Sequence, residues 1–255
     1  MKKRIIIYVF LFLFSFRAFA LNAPNATFSG YCSSISGFNF LTRQIIEHKI
    51  ETAFKKETNS KFNVKIKTFF GVNVLSGYFS SLHAHSSKIQ NEKIKISYFD
   101  IKSINPVNKV DINGDSVVVS EKIPLSFLTE ISTDDINYML KNNTPSNIAG
   151  LKIVDTTAKI ENDKLKLFYS ALAFNLPIRL NLSAKLKVQN NRIMLCDIGF
   201  ISKNKFTERF LNSLLTWSFK ADSDKHYKLI FDSVKIIDNK VVVNGKIILP
   251  KGVLL

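Results

Sequence analysis

The sequence predicts an α+β domain in which a long, strongly curved antiparallel sheet wraps around amphipathic helices. Three observations predict this class. Apolar and polar residues alternate over long stretches, which is the period of a strand with one buried face. These stretches follow one another through short turns, so neighbouring strands run in opposite directions. Two further segments repeat apolar residues at steps of three and four, as amphipathic helices do.

The first twenty residues have the pattern of an export signal. Residues 2–4 are basic, and residues 5–16 form an apolar run that is shorter than the roughly 20 residues of a spanning helix. Residues 18–20 supply small side chains at the spacing of a cleavage site. We therefore predict a signal peptide over residues 1–20 and a single exported domain over residues 21–255, periplasmic or secreted. An uncleaved membrane anchor is the alternative.

Composition excludes several classes of protein. The 255 residues are 46% hydrophobic, which is enough to bury a core and too much for a disordered chain. Two cysteines are too few for a disulfide-stabilised miniprotein. The net charge is +16, carried almost entirely by lysine, whereas bidentate reading of phosphates and bases favours arginine. The charge predicts weak attraction to anionic surfaces, and no nucleic-acid partner is expected.

The first half begins with a helix and continues in strands. Residues 36–57 carry an apolar stripe at helical spacing: Phe38, Leu41, Ile45, Ile46, Ile50, Ala53 and Phe54. Alternation with a period of two then predicts strands over 61–67, 93–98 and 117–127, with a turn at 113–115. Residues 132–141 predict a short helix capped by Ser132, with acids in its first turn, followed by a loop over 142–150.

The second half repeats this theme. Residues 165–174 are almost wholly apolar, which predicts a strand covered on both faces. Residues 176–188 give the clearest alternation in the chain. The remaining predicted elements are a turn at Asn190-Asn191, a strand over 193–201, an amphipathic helix over 203–219 and a hairpin of 226–237 with 241–249.

The sequence contains no recognisable catalytic constellation. Gly114-Asp115-Ser116 matches the start of a lipase block, but it lies mid-chain in a predicted turn and lacks partner Asp and His residues at the right spacing. Tyr98, Asp100 and the acidic pair after Ser132 are explained by capping and surface solvation. We therefore expect no enzyme, no catalytic residue and no cofactor.

Histidine and cysteine leave two structural questions. His83 and His85 share one face of a strand, but a metal would need at least a third ligand, so no metal site is expected. Outside the cytoplasm, Cys32 and Cys196 could form a disulfide. Two buried free thiols are the alternative.

The apolar residues exceed what one sheet face and two helices require. In residues 69–79, aromatic and aliphatic side chains crowd around two glycines. These observations predict a groove for acyl chains, where each buried CH₂ contributes about 0.8 kcal/mol. The predicted lipid-binding residues are Phe69, Phe70, Val74, Leu75, Phe79, Leu176, Ile178, Leu180, Leu182, Phe206, Phe210, Leu214 and Trp217.

Residues 64–141 resemble the LmeA-like phospholipid-binding family of bacterial exported domains. The resemblance is carried by Val64-Lys65-Ile66, by Leu75-Ser76-Gly77, by the strands that follow, and by the acidic helix from Asp134 to Leu140. It continues more weakly, so that it covers about residues 60–250. It implies a fold related to tubular lipid-binding (TULIP-like) domains, binding of phospholipid or a lipid-linked glycan, transient membrane contact, and no known catalytic residues.

Two main hypotheses follow. The first is an exported lipid-binding protein that shields acyl chains and helps move lipid or build the envelope. The second is a non-catalytic envelope scaffold or interaction module whose core is fully packed. An envelope hydrolase is a third and weaker one. The sequence identifies no protein partner.

Overall fold

The computed structural model describes residues 27–113, 116–144, 146–148, 151–173, 176–200, 219–220 and 227–252. In this part of the chain the fold is α+β with mostly antiparallel sheets, as the sequence predicts, and it contains three α-helices. The strands divide into two six-stranded sheets and two small sheets, rather than the one long sheet that was predicted. The predicted signal peptide and residues 203–218 of the predicted second helix lie outside the described residues. The predicted end of that helix is wrong, because Phe219 belongs to a short strand.

The described part of the chain contains three helices, of which the first packs on the second. They are α1 (Phe28–Ile35), α2 (Phe38–Thr58) and α3 (Thr133–Asn143), with a single 3₁₀ turn at Val74–Ser76. Helix α1 was not predicted, and its first turn is capped by the Thr27 side chain, which accepts a hydrogen bond from the Gly30 amide. Gly37, at a φ of 77°, separates α1 from α2.

The first six-stranded sheet, which we call sheet one, has the order β1-β3-β6-β9-β17-β16. Its strands are β1 (Asn63–Lys67), β3 (Ser81–Ser86), β6 (Tyr98–Ser103), β9 (Ile123–Ser132), β17 (Lys240–Leu249) and β16 (Lys228–Ile237). All neighbours in it are antiparallel. The predicted final hairpin is confirmed, and its turn residues Asp238 and Asn239 have φ values of 49° and 59°.

The second six-stranded sheet, sheet two, has the order β10-β11-β12-β13-β14-β15. Its strands are β10 (Asn147–Ile148), β11 (Leu151–Glu161), β12 (Lys164–Ala173), β13 (Leu176–Gln189), β14 (Arg192–Phe200) and β15 (Phe219–Lys220). The small sheets comprise β2 (Tyr78–Phe79), β7 (Asn108–Asn113) and β8 (Ser116–Val119) in one, and β4 (Ile89–Gln90) and β5 (Lys95–Ile96) in the other.

The apolar faces of both large sheets contribute to one hydrophobic core. Phe62, Val119, Leu180, Leu182 and Val243 are among its most completely buried side chains. Outside the core, the outward faces of the sheets are rich in bases. Register and exposure place these bases at Lys65, Lys67, Lys102, Lys228, Lys235, Lys240 and Lys246 on sheet one, and at Lys152, Lys159, Arg179, Lys185, Lys187 and Arg192 on sheet two.

Three strand predictions need correction. Residues 93–98 divide into β5 and β6, because a bend at Ser97 interrupts the strand. Residues 117–127 divide into β8 and β9. Strand β12 is fully buried on one face only, since Phe168 and Leu172 on its other face are half-buried. The alternation in β13 is real, but its apolar face emerges from the core at both ends, where Leu176 is 68% exposed and Val188 is half-buried.

Candidate functional site

The apolar segment 69–79 is fastened to α1 and α2 through its backbone. The carboxamide of Asn39 donates to the Val72 carbonyl at 2.8 Å and accepts from the Val74 amide at 3.1 Å. The Gly71 amide donates to the Ser34 hydroxyl at 3.2 Å. Because the buried amide of Asn39 satisfies two backbone groups, this irregular segment has a fixed position beside the helices.

Gly77 closes the segment at a point where a side chain could not fit. It lies in the left-handed region at a φ of 78°, and a Cβ atom there would come within 1.7 Å of the Val110 carbonyl oxygen. The Val110 amide donates to the Gly77 carbonyl at 3.1 Å, so the two backbones are paired at close range. This explains physically why a glycine follows Leu75-Ser76.

A narrow apolar crevice lies between α2, β1, the 3₁₀ turn and β7. Its lining residues are Ile46, Ile50, Ile66, Thr68, Val74, Gly77, Tyr78, Phe79, Leu82 and Val110. Its volume is about 20 Å³, which is room for about one water molecule and too little for an acyl chain. In this conformation, α2 is therefore seated closely on sheet one along the crevice.

Next to the crevice, large apolar side chains face outward where α1, α2 and segment 69–79 meet. We call this surface the apolar corner, and it comprises Ile35, Phe38, Leu41, Ile45, Phe70 and Leu75. Each of them is between 46% and 62% exposed. They lie on elements that pack together. The ring centroids of Phe70 and of Tyr31 in α1 are 5.7 Å apart, and the 3₁₀ turn that carries Leu75 packs on α2.

The structure brings together only part of the predicted groove. Val74 and Phe79 line the crevice, Phe70 and Leu75 belong to the apolar corner, and Phe69 is half-buried nearby. The predicted residues of β13 are not among the crevice lining: Leu180 and Leu182 are buried in the common core, Ile178 is half-buried and Leu176 is exposed. The predicted groove residues Phe206, Phe210, Leu214 and Trp217 lie outside the described residues.

Sequence reasoning missed the exposed members of α2. It assigned Phe38, Leu41 and Ile45 to the core stripe, whereas they are 47%, 59% and 58% exposed. The core-facing positions in the first turns are instead Asn39 and Thr42, both buried. A signal was present, because a stripe that includes both residues 41 and 45 and residues 46 and 50 is too broad for one buried helix face.

Comparisons with protein-family models, with curated proteins and with solved structures give no match to this chain. The candidate site therefore stands on its own geometry.

A polar network occupies the outward face of β3 and β6. His83 Nε2 lies 2.6 Å from Asp100 Oδ2, the Tyr98 hydroxyl donates to the same oxygen at 3.2 Å, and Lys102 Nζ lies 3.2 Å from Oδ1. Burial raises the pKa of Asp100, but the bonds from His83 and Lys102 outweigh it and hold that pKa below its ordinary value. A carboxylate so stabilised is a weak base, so we assign this network a structural role.

The His83 and His85 rings are 5.4 Å apart, centre to centre. In the described part of the chain, no group of three His, Cys, Asp or Glu side chains is arranged to hold a metal. Cys32 and Cys196 are free thiols, the first exposed and the second half-buried. No described helix is both long and apolar enough to cross a membrane.

An open polar cleft of about 590 Å³ lies beyond the C-terminal end of α2. Its lining residues are Asn59, Ser60, Lys61, Ser87, Lys88, Gln90, Asn91, Glu92 and Tyr138. The backbone of its wall is tied by hydrogen bonds, including one from the Tyr138 hydroxyl to the Asn91 carbonyl at 2.8 Å. All of these lining residues are polar or charged types, unlike the aliphatic and aromatic lining expected around an acyl chain.

Proposed function

We propose that this chain is an exported lipid-binding protein that holds the acyl chains of a phospholipid or lipid-linked glycan, for lipid transfer or envelope assembly. The observation that carries the proposal is the apolar corner beside the apolar crevice. In the described part of the chain, fourteen large apolar side chains are exposed, and the six of the apolar corner are grouped on three adjoining elements. Grouping of this kind marks an interaction site, whereas scattered exposed apolar residues do not.

The lipid would enter between the apolar corner and sheet one. Leu75 follows Val74 of the crevice lining in the chain, and Ile45 precedes Ile46, so the apolar corner borders the crevice. The crevice of about 20 Å³ has to widen for an acyl chain, with α2 moving away from β1. Buried CH₂ groups would supply about 0.8 kcal/mol each toward that movement.

Two expectations from the sequence support the proposal. The pattern of residues 1–20 predicts export, and residues 64–141 resemble LmeA-like phospholipid-binding domains. In the proposal, sheet one and α2 correspond to the curved sheet and helix of a TULIP-like fold.

Lipid retention tests the proposal. We expect mass spectrometry of an organic extract of the purified protein to detect bound lipid, and a pyrene-labelled phosphatidylcholine to be taken up. Leu75→Asp should reduce uptake at least about fivefold, because it places a charge at the mouth of the site. Ile104→Asp is the matched control, since Ile104 is 47% exposed against 53% for Leu75 and lies outside the apolar corner. Equal uptake by the two variants would refute the proposed site.

The small crevice favours a second candidate, a non-catalytic envelope module with a packed core. Leu180 and Leu182 are 1% and 2% exposed, so β13 in its middle has the burial of ordinary core. This candidate predicts that Leu180→Asp unfolds the protein and that neither extraction nor uptake detects lipid. Copurifying lipid that Leu75→Asp releases would exclude it.

A further inference from the structure

Helix α2 changes character along its exposed side. Its first two turns expose Phe38, Leu41 and Ile45. Lys49 and Lys56 follow Phe38 and Ile45 at a spacing of eleven residues, which is three helical turns, so they continue the same side. The outward side of this 21-residue helix is therefore apolar at its start and cationic toward its end.

Two of the three acids of α2 face sheet one rather than this outward side. Glu47 accepts a hydrogen bond from the Ile66 amide at 2.7 Å, and Glu51 accepts one from the Val64 amide at 3.0 Å. Both carboxylates are thereby turned toward the edge of β1. The exposed residues near the end of the helix include His48, Lys55 and Lys56, all basic types.

The structure assigns this surface a partner: an anionic phospholipid bilayer, on which α2 lies with the apolar corner inserted among the acyl chains and its lysines among the headgroups. An exposed apolar patch followed by basic residues can bind an anionic membrane surface, because apolar burial and electrostatic attraction both contribute to such binding. Each lysine near an anionic surface contributes about a fivefold gain in affinity. The inference rests on the proposed lipid-binding function, for which the docked surface would be the place where lipid enters.

Vesicle cosedimentation tests it. The purified protein should bind vesicles of phosphatidylcholine with phosphatidylglycerol, bind vesicles of phosphatidylcholine alone less tightly, and lose affinity as salt is raised. Leu41→Glu should weaken binding about tenfold, because it removes an exposed leucine that would insert among the acyl chains and adds a negative charge facing the anionic headgroups. Val154→Glu is the control: Val154 is 62% exposed against 59% for Leu41, and it lies on β11. Both variants share residues 1–26 with the wild type, so any vesicle binding by that segment is the same in all three proteins and does not affect the comparison.

Circular dichroism and the thermal midpoint establish that both variants fold. Equal binding by Leu41→Glu and Val154→Glu, or no binding by the wild type, overturns the inference. A third outcome would also overturn it: the wild type is a dimer by sedimentation, Leu41→Glu alone dissociates that dimer, and vesicle binding does not change. The apolar corner would then be the contact surface for a second copy of the chain. Failure of the two proposals can be told apart. Vesicle binding without extracted lipid refutes the lipid site and supports the docking surface. Extracted lipid without vesicle binding refutes the docking surface and supports the lipid site.

Discussion

Asp135 shows how one residue can join a helix to a neighbouring strand. Its carboxylate accepts from the Ser97 hydroxyl at 2.5 Å and from the Ser132 amide at 2.9 Å, and Lys95 Nζ lies 3.5 Å away. The Ser132 hydroxyl in turn accepts from the Asp135 amide, which completes a capping box. Burial raises the pKa of Asp135, but the hydrogen bonds and Lys95 outweigh it and place that pKa below its ordinary value of 3.8.

We predict that Asp135→Asn lowers the free energy of unfolding by about 2–3 kcal/mol at neutral pH, because a buried, hydrogen-bonded charge is lost beside Lys95. Urea denaturation measures this. Asp134→Asn is the control, since Asp134 is exposed in the same turn, and it should change the free energy by less than about 0.5 kcal/mol.

The pH dependence has a definite sign. Because folding lowers the pKa of Asp135, its carboxylate contributes stability above the unfolded-state pKa and loses it as the pH falls through the folded value. The difference between wild type and Asp135→Asn should therefore shrink below about pH 4. A difference that stays constant down to pH 3 would contradict this assignment.

At this scale the sequence is informative where partners are close in the chain. Ser132 as a cap and acids in the first turn follow from a spacing of three residues, and both are confirmed. Ser97 and Lys95 are more than thirty residues away from Asp135, and nothing in their own spacing marks them as its partners. The Asn190-Asn191 and Asp238-Asn239 turns were predictable for the same local reason.

At the scale of elements, α2 protects an otherwise open edge of sheet one. Strand β1 is the last strand on its side, so its outward amides would face solvent and could pair with another chain. Glu47 and Glu51, one helical turn apart, accept from the amides of Ile66 and Val64. Two side chains of the helix thus stand in for the backbone of a neighbouring strand.

We predict that replacing Glu47 and Glu51 together with Ala destabilises the protein by about 2–3 kcal/mol, because two amides lose their acceptors. Helix propensity cannot be the cause, since Ala is the best helix former. Hydrogen–deuterium exchange should show faster exchange at the Val64 and Ile66 amides. The Gln pair at the same positions keeps two carbonyl acceptors and should exchange closer to the wild-type rate. Similar exchange in all three proteins would disprove the edge role.

Element boundaries were predictable only in part. Alternation correctly placed β1, β13 and the final hairpin, because their burial follows a period of two over many residues. It failed between β8 and β9, where Val119 and Ile123 are both buried although the strand is interrupted, so the apolar pattern hides the break. The helical period of three and four residues likewise misassigned the buried face of α2, where Asn39 and Thr42 are buried. The Asn39 side chain is buried there because it hydrogen-bonds to segment 69–79.

At the scale of the whole molecule, asparagine side chains join elements that are distant in the chain, and one of them joins the two sheets. Asn191, in the β13–β14 turn of sheet two, donates to the Leu229 carbonyl at 2.9 Å and accepts from the Phe231 amide at 2.8 Å, both on the edge strand β16 of sheet one. Asn137 of α3 forms the same pair of bonds with the backbone of Ala158 on β11. Since these partners are 21 to 40 residues apart, the sequence predicts the turn, the helix and the strands separately, but not the hydrogen bonds that join them.

The β13–β14 turn provides two neighbouring asparagines with which the connection between the sheets can be tested. Asn190 and Asn191 both have left-handed backbones, with φ values of 50° and 56°, so Ala introduces about the same backbone strain at either position. Asn190 is exposed, and its side chain has no described hydrogen bond to β16. We predict that Asn191→Ala lowers the free energy of unfolding by about 1–3 kcal/mol more than Asn190→Ala, because two partly buried backbone groups lose their partner. Urea denaturation gives the difference, and exchange at the Phe231 amide localises it. If the two variants lose equal stability and the Phe231 amide stays protected in both, the sheets are held together by apolar packing alone. The two Asn191 hydrogen bonds would then only orient sheet two relative to edge strand β16 of sheet one.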